Sequence, residues 1–166
     1  GQRRRKAGRG DETPRPGEAT ADLALRLAIA KAHAVAMRVA ALAPDTIVIG
    51  GDQVAVLDGQ ALSKPVTHEN AVAQLRTMRG RSVTFLTAIA VERAATGDAH
   101  SRLVACDVHF RPFPEAVIEP YLRADLPYDC AGSAKIESLG IALVERIECG
   151  DPTALAPFIR FLVIGA

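Results

Sequence analysis

The chain has 166 residues, of which 49% are hydrophobic and 23% charged, and its formal net charge is +1. This length suits one domain, or one domain of two lobes, with a buried core, and the composition is typical of a soluble globular protein. Because tryptophan is absent and aromatic residues make up only 4%, we expect an aliphatic core rich in alanine.

Positive residues crowd the start of the chain. They face few acids there and comprise Arg3, Arg4, Arg5, Lys6, Arg9 and Arg15. A basic arm can bind nucleic acid, but this one has no interleaved aromatic residues for base stacking, which favours a solvated tail. We therefore predict a disordered basic arm over residues 1–10, a globular domain over residues 11–166, and no nucleic-acid partner.

Three cysteines, Cys106, Cys130 and Cys149, are odd in number and widely spaced. This pattern argues against a disulfide framework and against a structural zinc site, and it fits a reducing cytoplasm. The charged first residues do not resemble a signal peptide, and the apolar run FLVIG near the C-terminus is too short to span a bilayer. We predict a cytoplasmic protein without a membrane partner.

Two adjacent acids, Asp11 and Glu12, precede Thr13-Pro14. The pair is compatible with a metal site, although a solvated acidic turn is more common for two adjacent acids taken alone. A long amphipathic helix follows, capped by Thr20 and ending before Pro44. Its apolar face is predicted to comprise Leu23, Leu27, Ala30, Ala34, Met37 and Ala41.

Lys31 lies at the edge of this apolar stripe, one turn after Leu27. Its ammonium group can reach a ligand, or its stem can simply lie along the apolar surface with the charge in water.

Residues 47–65 combine an apolar run with the charged residues Asp52 and Lys64. An apolar run at residues 47–49 predicts a buried strand, which Gly50 and Gly51 are expected to end, with Asp52 at its exit. Ligands often bind at such strand ends in α/β proteins.

A hairpin is predicted next, because Asp58-Gly59 favours a tight turn and the returning limb reaches Lys64 before Pro65. The hairpin can present Asp52 and Lys64 to one ligand. Alternatively, Asp52 caps a loop and Lys64 is a solvated surface charge.

Thr67 is expected to cap a second helix, with Ala71, Leu75 and Met78 facing inward, that ends near Gly80. Alternating patterns at residues 82–92 and 103–110 predict an antiparallel pair of strands.

The pattern beyond these strands predicts a third helix at residues 114–124, kinked or short because of Pro120. A final strand is predicted at residues 141–147, followed by a short helical turn at residues 153–155. Small residues and charges at residues 127–140, including Lys135 and Glu137, are typical of a ligand-facing loop.

Several short motifs follow one another in an order that resembles the Maf family. They are D-E-T-P at residues 11–14, A-K-A at 30–32, G-D-Q-V at 51–54, K-P at 64–65, G-R at 80–81 and Y-D-C-A-G-S at 128–133. The resemblance covers residues 11–155. It implies the α/β fold of the inosine-triphosphate pyrophosphatases, with a mixed twisted sheet and flanking helices in two lobes around a cleft.

The resemblance also implies an activity: hydrolysis of a nucleoside triphosphate to a monophosphate and pyrophosphate, with Mg²⁺ or Mn²⁺ as cofactor. Asp52 matches the proton acceptor and, with Glu12, a metal ligand. Lys31 and Lys64 match substrate-binding positions. Gln53 and Glu137 resemble the branch that hydrolyses 7-methyl-GTP, whereas members acting on dTTP and UTP typically have Thr and Gln there.

The chemistry of these residue types agrees with that activity. A triphosphate needs cations to spread its charge, which Lys31 and Lys64 supply, and the attacking water needs a base such as Asp52. A methylated guanine carries a ring positive charge, so an acidic side chain such as Glu137 suits it better than a neutral amide.

The chain departs from the family pattern at both ends. Members begin with a strand and a Ser-x-x-Arg-Arg phosphate loop, whereas only ten residues precede Asp11 here, so we expect that part to be absent or replaced. Residues 156–160 also differ from the family's Gly-Leu-Pro-Leu segment. An alternative is therefore a catalytically impaired member that binds nucleotides or regulates, and the sequence leaves a homodimer open.

Overall fold

The computed structural model describes residues 12–155 and 161–164, and within them it forms an α/β protein with three α-helices and one six-stranded sheet. The strand order is β2-β1-β3-β4-β5, and β6 pairs with β1. The predicted α/β class is confirmed. The helices are α1 Thr20–Val39, α2 His68–Met78 and α3 Ile118–Asp125; the strands are β1 Ile47–Leu57, β2 Gln60–Leu62, β3 Ser82–Arg93, β4 Ala99–Phe110, β5 Val144–Cys149 and β6 Phe161–Ile164.

Two compact units make up the described chain. The first contains residues 12–52, 88–103 and 161–164, and the second contains residues 53–87 and 104–155. No helix among the described residues is long and apolar enough to cross a membrane. The predicted basic arm at residues 1–10 and the divergent segment at residues 156–160 lie outside the described residues, as does Asp11.

Helix α1 has a different buried face from the one predicted. Leu23 and Leu27 are buried as expected, but Ala30 and Ala34 are exposed and Met37 is 67% exposed. Alanine lies on every side of this helix, so the spacing of apolar residues alone defines the face poorly. The residues that are buried are Leu23, Ala24, Leu27, Ala28, Ala32, Val35 and Ala36.

Gly50 and Gly51 do not end the first strand, contrary to the prediction, because β1 continues through them to Leu57. The reason for glycine is the close approach of α1. A Cβ atom on Gly50 would lie 2.5 Å from the carbonyl oxygen of Ala28 and 2.6 Å from the backbone nitrogen of Ala32. Glycine at this strand position lets the helix backbone touch the strand backbone.

The predicted hairpin is confirmed, since β1 and β2 pair antiparallel with Leu57 opposite Gln60. Asp58 and Gly59 both have positive φ, at 50° and 77°, as a type I′ hairpin turn requires. Helix α2 is also as predicted, because the Thr67 hydroxyl accepts a hydrogen bond from the backbone N–H of Asn70 at 3.3 Å.

Later elements differ in their bounds. Helix α3 is short, and Pro120 is its third residue, where a missing N–H removes no helical hydrogen bond. The final strand predicted at residues 141–147 is wrong at its start, since residues 139–143 form a 3₁₀ turn before β5. Strand β6 was not predicted, whereas the helical turn at residues 153–155 is confirmed as a 3₁₀ turn over Pro152–Leu155.

The core of the second unit contains more aromatic residues than the composition suggested. Its buried cluster is built from all of the second unit's helices and most of its strands. Phe85, Phe110, Phe113 and Tyr121 are buried there among aliphatic side chains. Within the part of the chain whose side chains the structure describes, the aromatic residues are therefore concentrated in this core.

Cys106 and Cys149 form a disulfide, which corrects the expectation drawn from the cysteine pattern. The two residues lie opposite each other in the antiparallel β4–β5 pair. Their separation of 43 residues gave no sign of this, because strand register is not visible in the spacing. Cys130 is not part of a disulfide, and burial raises the pKa of its thiol to about 12, so the thiol is protonated at neutral pH.

The contact between α1 and β1 predicts that Gly50→Ala destabilises the protein. The added methyl group would meet backbone atoms that have no room to give, so we expect the free energy of unfolding to fall by about 2 kcal/mol. Urea unfolding measures this change. Gly150→Ala is the matched control, because nothing lies within 4 Å of a Cβ atom there; equal stability of the two variants would contradict the prediction.

Candidate active site

Two carboxylates share one ammonium group in the first unit. Lys31 Nζ in α1 donates a hydrogen bond to Asp52 Oδ1 in β1, and it lies 3.5 Å from Glu12 Oε1. The Asp52 side chain is only 13% exposed, Lys31 28% and Glu12 36%. A carboxylate so far removed from water needs a cation beside it, and Lys31 provides one.

The packing of α1 on β1 explains this arrangement. Gly50 and Asp52 are two residues apart in a strand, so they belong to the same face of β1. Helix α1 touches that face at Gly50 through Ala28 and Ala32. Since Lys31 immediately precedes Ala32, the close contact carries its side chain to Asp52.

Glu12 is held in place by the loop that precedes α1. Arg26 Nη2 donates to the carbonyl oxygen of Thr13 at 3.1 Å and to Glu18 Oε2 at 2.9 Å. Glu18 Oε2 also accepts from the backbone N–H of Arg15 at 2.9 Å. These charge-assisted bonds fasten the loop to α1 next to Glu12.

Gln53, the residue after Asp52, belongs to the second unit, and two hydrogen bonds hold its side chain. Its Nε2 donates to Thr87 Oγ1 at 2.9 Å and to the carbonyl oxygen of Ala154 at 3.2 Å. Thr87 Oγ1 donates to the same carbonyl at 2.7 Å. The amide of Gln53 therefore has a fixed position in β1.

Lys64 follows strand β2 on a segment that α2 fastens on both sides. Gln74 Nε2 donates to the carbonyl oxygen of Ser63 at 2.8 Å, and Asn70 Nδ2 donates to that of Pro65 at 3.0 Å. Pro65 is fully buried, whereas Lys64 is partly exposed. The backbone that carries the Lys64 ammonium group is thus well defined.

Glu137 lies exposed on a tight turn whose anchor is Lys135. The backbone N–H groups of Ser138 and Gly140 both donate to the carbonyl oxygen of Lys135, each at 3.0 Å. The Lys135 ammonium group caps the end of α3 by donating to the carbonyl oxygens of Asp125 at 2.8 Å and Leu126 at 3.2 Å. The turn therefore presents the Glu137 carboxylate to solvent from a fixed backbone.

The donor set near Lys31 fits a divalent cation that substrate helps to bind. Glu12 and Asp52 already converge on one positive charge, and such a pair is the usual protein contribution to a Mg²⁺ site, which phosphate and water oxygens complete. Among the described residues no group of three or more metal-binding side chains exists, so an all-protein metal cage is not formed there.

The structure thus brings together Glu12, Lys31 and Asp52 directly, and it fixes Gln53, Lys64 and Glu137 on separate segments of the second unit. Sequence reasoning missed the supporting residues. Arg26 and Thr87 carry no motif, and only the fold shows that their hydrogen bonds reach Thr13 and Gln53.

Comparison with known proteins identifies the family of this chain. A family model described as Maf-like protein matches residues 4–156. The chain belongs to the Maf-like family, as its motifs indicated.

Curated relatives are similar over most of this chain. A protein of Albidiferax ferrireducens named 7-methyl-GTP pyrophosphatase is 57% identical over 152 residues, which cover 90% of this chain and 74% of that protein. A protein of the same name from Polaromonas sp. is also 57% identical, with 90% and 68% covered. One from Thiobacillus denitrificans is 52% identical, with 87% and 70% covered.

The hydrogen bonds of the loop that precedes α1 predict an unusually low pKa for Glu18. Its hydrogen bond with Arg26, and next the one from the Arg15 backbone, lower the pKa of Glu18 from 4.5 to about 2. The stabilisation from this ion pair is therefore present above about pH 4.5 and is lost as the pH falls toward 2. Arg26→Gln should raise the pKa of Glu18 toward 4.5, as measured by NMR titration.

Arg38 lies in the last turn of α1, whereas Arg26 lies earlier in that helix. Arg38→Gln is therefore the control, and it should leave the titration of Glu18 unchanged. A wild-type Glu18 that titrates near 4.5 would show that the network does not form in solution.

Proposed function

We propose that this protein hydrolyses 7-methyl-GTP to 7-methyl-GMP and pyrophosphate with the help of Mg²⁺ or Mn²⁺. The observation that carries the proposal is the sharing of the Lys31 ammonium group by Glu12 and Asp52. The names of the curated relatives support the choice of substrate. A cytoplasmic location is part of the same proposal and rests on the nucleotide substrate, because the Cys106–Cys149 disulfide removes the cysteine pattern as an argument for a reducing compartment.

In the proposed reaction, Asp52 accepts a proton from a water molecule whose oxygen attacks the α-phosphorus. A new P–O bond forms there while the bond from the α-phosphorus to the α–β bridging oxygen breaks, and pyrophosphate leaves with that electron pair. Asp52 suits this role because its carboxylate is mostly shielded from water and lies beside the positive charge of Lys31.

In this proposal, Lys31 and Lys64 bind the phosphate groups of the substrate. The Lys31 ammonium group has three donors, and those not used by Glu12 and Asp52 can bind phosphate oxygens. Lys64 would bind the triphosphate from its fastened segment. A divalent cation held by Glu12 and Asp52 would, when bound, neutralise charge that develops on the phosphate oxygens.

In this proposal, hydrogen-bond acceptors of the protein recognise the guanine base. Gln53 and Glu137 offer oxygen atoms, and guanine has N–H donors on its Watson–Crick edge. Methylation adds a positive charge to the ring, and the carboxylate of Glu137 would attract it. The negative charge of Glu137 therefore supports 7-methyl-GTP over nucleotides whose base carries no positive charge.

Pyrophosphate release from 7-methyl-GTP tests the proposal. We expect turnover with Mg²⁺ or Mn²⁺ that EDTA abolishes, and a fall in kcat of at least about 100-fold in Asp52→Asn, because the base is lost. Asp45→Asn, at an exposed position just before β1, is the matched control and should keep wild-type activity.

Two outcomes would contradict this assignment. Nucleotide binding without hydrolysis, measured by calorimetry, would favour a non-catalytic member of the family. Full activity in Asp52→Asn would show that another group takes the proton.

Glu137→Gln should reduce the preference for 7-methyl-GTP over GTP by about tenfold, because an amide keeps the hydrogen-bond acceptor but loses the charge that the methylated ring attracts. The ratio of kcat/KM for the two substrates measures this preference. Glu145→Gln, also exposed, is the control. An unchanged ratio in Glu137→Gln would remove Glu137 from base recognition.

A further inference from the structure

The amide of Gln53 has an orientation that the protein itself dictates. The carbonyl oxygen of Ala154, 3.2 Å from the side chain, only accepts hydrogen bonds. The amide atom that faces it must therefore be the nitrogen, since the amide oxygen would be repelled there.

Thr87 completes this arrangement. Its hydroxyl proton is committed to the Ala154 carbonyl at 2.7 Å, so the hydroxyl oxygen faces Gln53 as an acceptor at 2.9 Å. The two acceptors lie close together on one side of Nε2, so they share one N–H group of the Gln53 amide. Among the described contacts, Oε1 is the part of the amide that remains to accept from a ligand.

We propose that Thr87 is a positioning residue for nucleotide selectivity: it fixes the Gln53 amide so that Oε1 accepts an N–H group of the guanine ring. This inference rests on the proposed function and deepens it. At ring position N1 guanine has an N–H donor and adenine has an acceptor, so an Oε1 atom opposite N1 would accept from guanine and be repelled by adenine, whose amino donor lies at a different position. Discrimination between the two purines thus depends on a residue that does not contact the base.

Thr87→Val and Thr87→Ser form a matched pair of variants. Valine keeps the size and branching of threonine but lacks the hydroxyl group, whereas serine keeps that group. We expect Thr87→Val to lower the ratio of kcat/KM for 7-methyl-GTP over ATP by about fivefold, mainly through a higher KM for 7-methyl-GTP. Thr87→Ser should restore the wild-type ratio, and kcat should change little in either variant.

A double-mutant cycle shows whether Thr87 acts through Gln53. In a Gln53→Ala background, Thr87→Val should cause no further loss of selectivity, because the amide that it positions is gone. A fivefold loss in both backgrounds, or an unchanged ratio in Thr87→Val, would overturn the inference.

An NMR measurement without nucleotide keeps the inference separate from the proposed function. The side-chain amide protons of Gln53, assigned by their loss in Gln53→Ala, should exchange with solvent more slowly than those of the exposed Gln60, and Thr87→Val should speed this exchange. If the wild-type protein hydrolyses no triphosphate yet shows this protection, the proposed function fails and the positioning by Thr87 stands. Equal exchange of Gln53 and Gln60 in the wild-type protein would overturn the inference by itself.

Discussion

The contact between α1 and Gly50 is the constraint on which the candidate active site depends. Helix and strand backbones touch there, so the helix lies closer to β1 than any side chain would allow. This spacing carries Lys31 to Asp52, and the ion pair in turn makes it possible to keep the Asp52 carboxylate only 13% exposed. A single missing side chain thus determines the electrostatics of the residue that we propose as the base.

The sequence names the residues of this candidate site but does not show how they are arranged. Asp52, Lys31 and Glu12 were named because their motifs matched a family, but their ion pairs follow from packing that the pattern does not show. The glycines before Asp52 were read as the end of a strand, whereas Gly50 serves a close helix contact within it. Glycine has the same signature in both situations, and only the position of α1 distinguishes them.

The residues that hold the backbone of the site in place could not be predicted from the sequence, for a similar reason. Lys64 and Glu137 lie on backbone that other side chains fasten, mostly by donating to carbonyl oxygens. Carbonyl groups are present at every residue, so a sequence gives no sign of which ones are used. The disulfide between Cys106 and Cys149 could not be predicted either, because it depends on the register of β4 and β5. Two local features, the Asp58-Gly59 turn and the Thr67 cap, were predicted correctly, whereas the predicted Thr20 cap was wrong because Ala19 is the N-cap of α1 and no side chain caps it.

Gln53 and Glu137, the residues proposed to accept hydrogen bonds from guanine, lie in different surroundings. We therefore assign them different roles. Gln53 faces the Ala154 carbonyl, where a carboxylate would be repelled, so the protein requires a neutral amide at that position. Glu137 lies exposed on its turn, where neither an acid nor an amide is excluded by its neighbours. Under the proposed function, Gln53 would therefore read the N–H donors common to all guanine nucleotides. The attraction of a methylated, positively charged ring would fall to Glu137, because it is the position where a negative charge is tolerated.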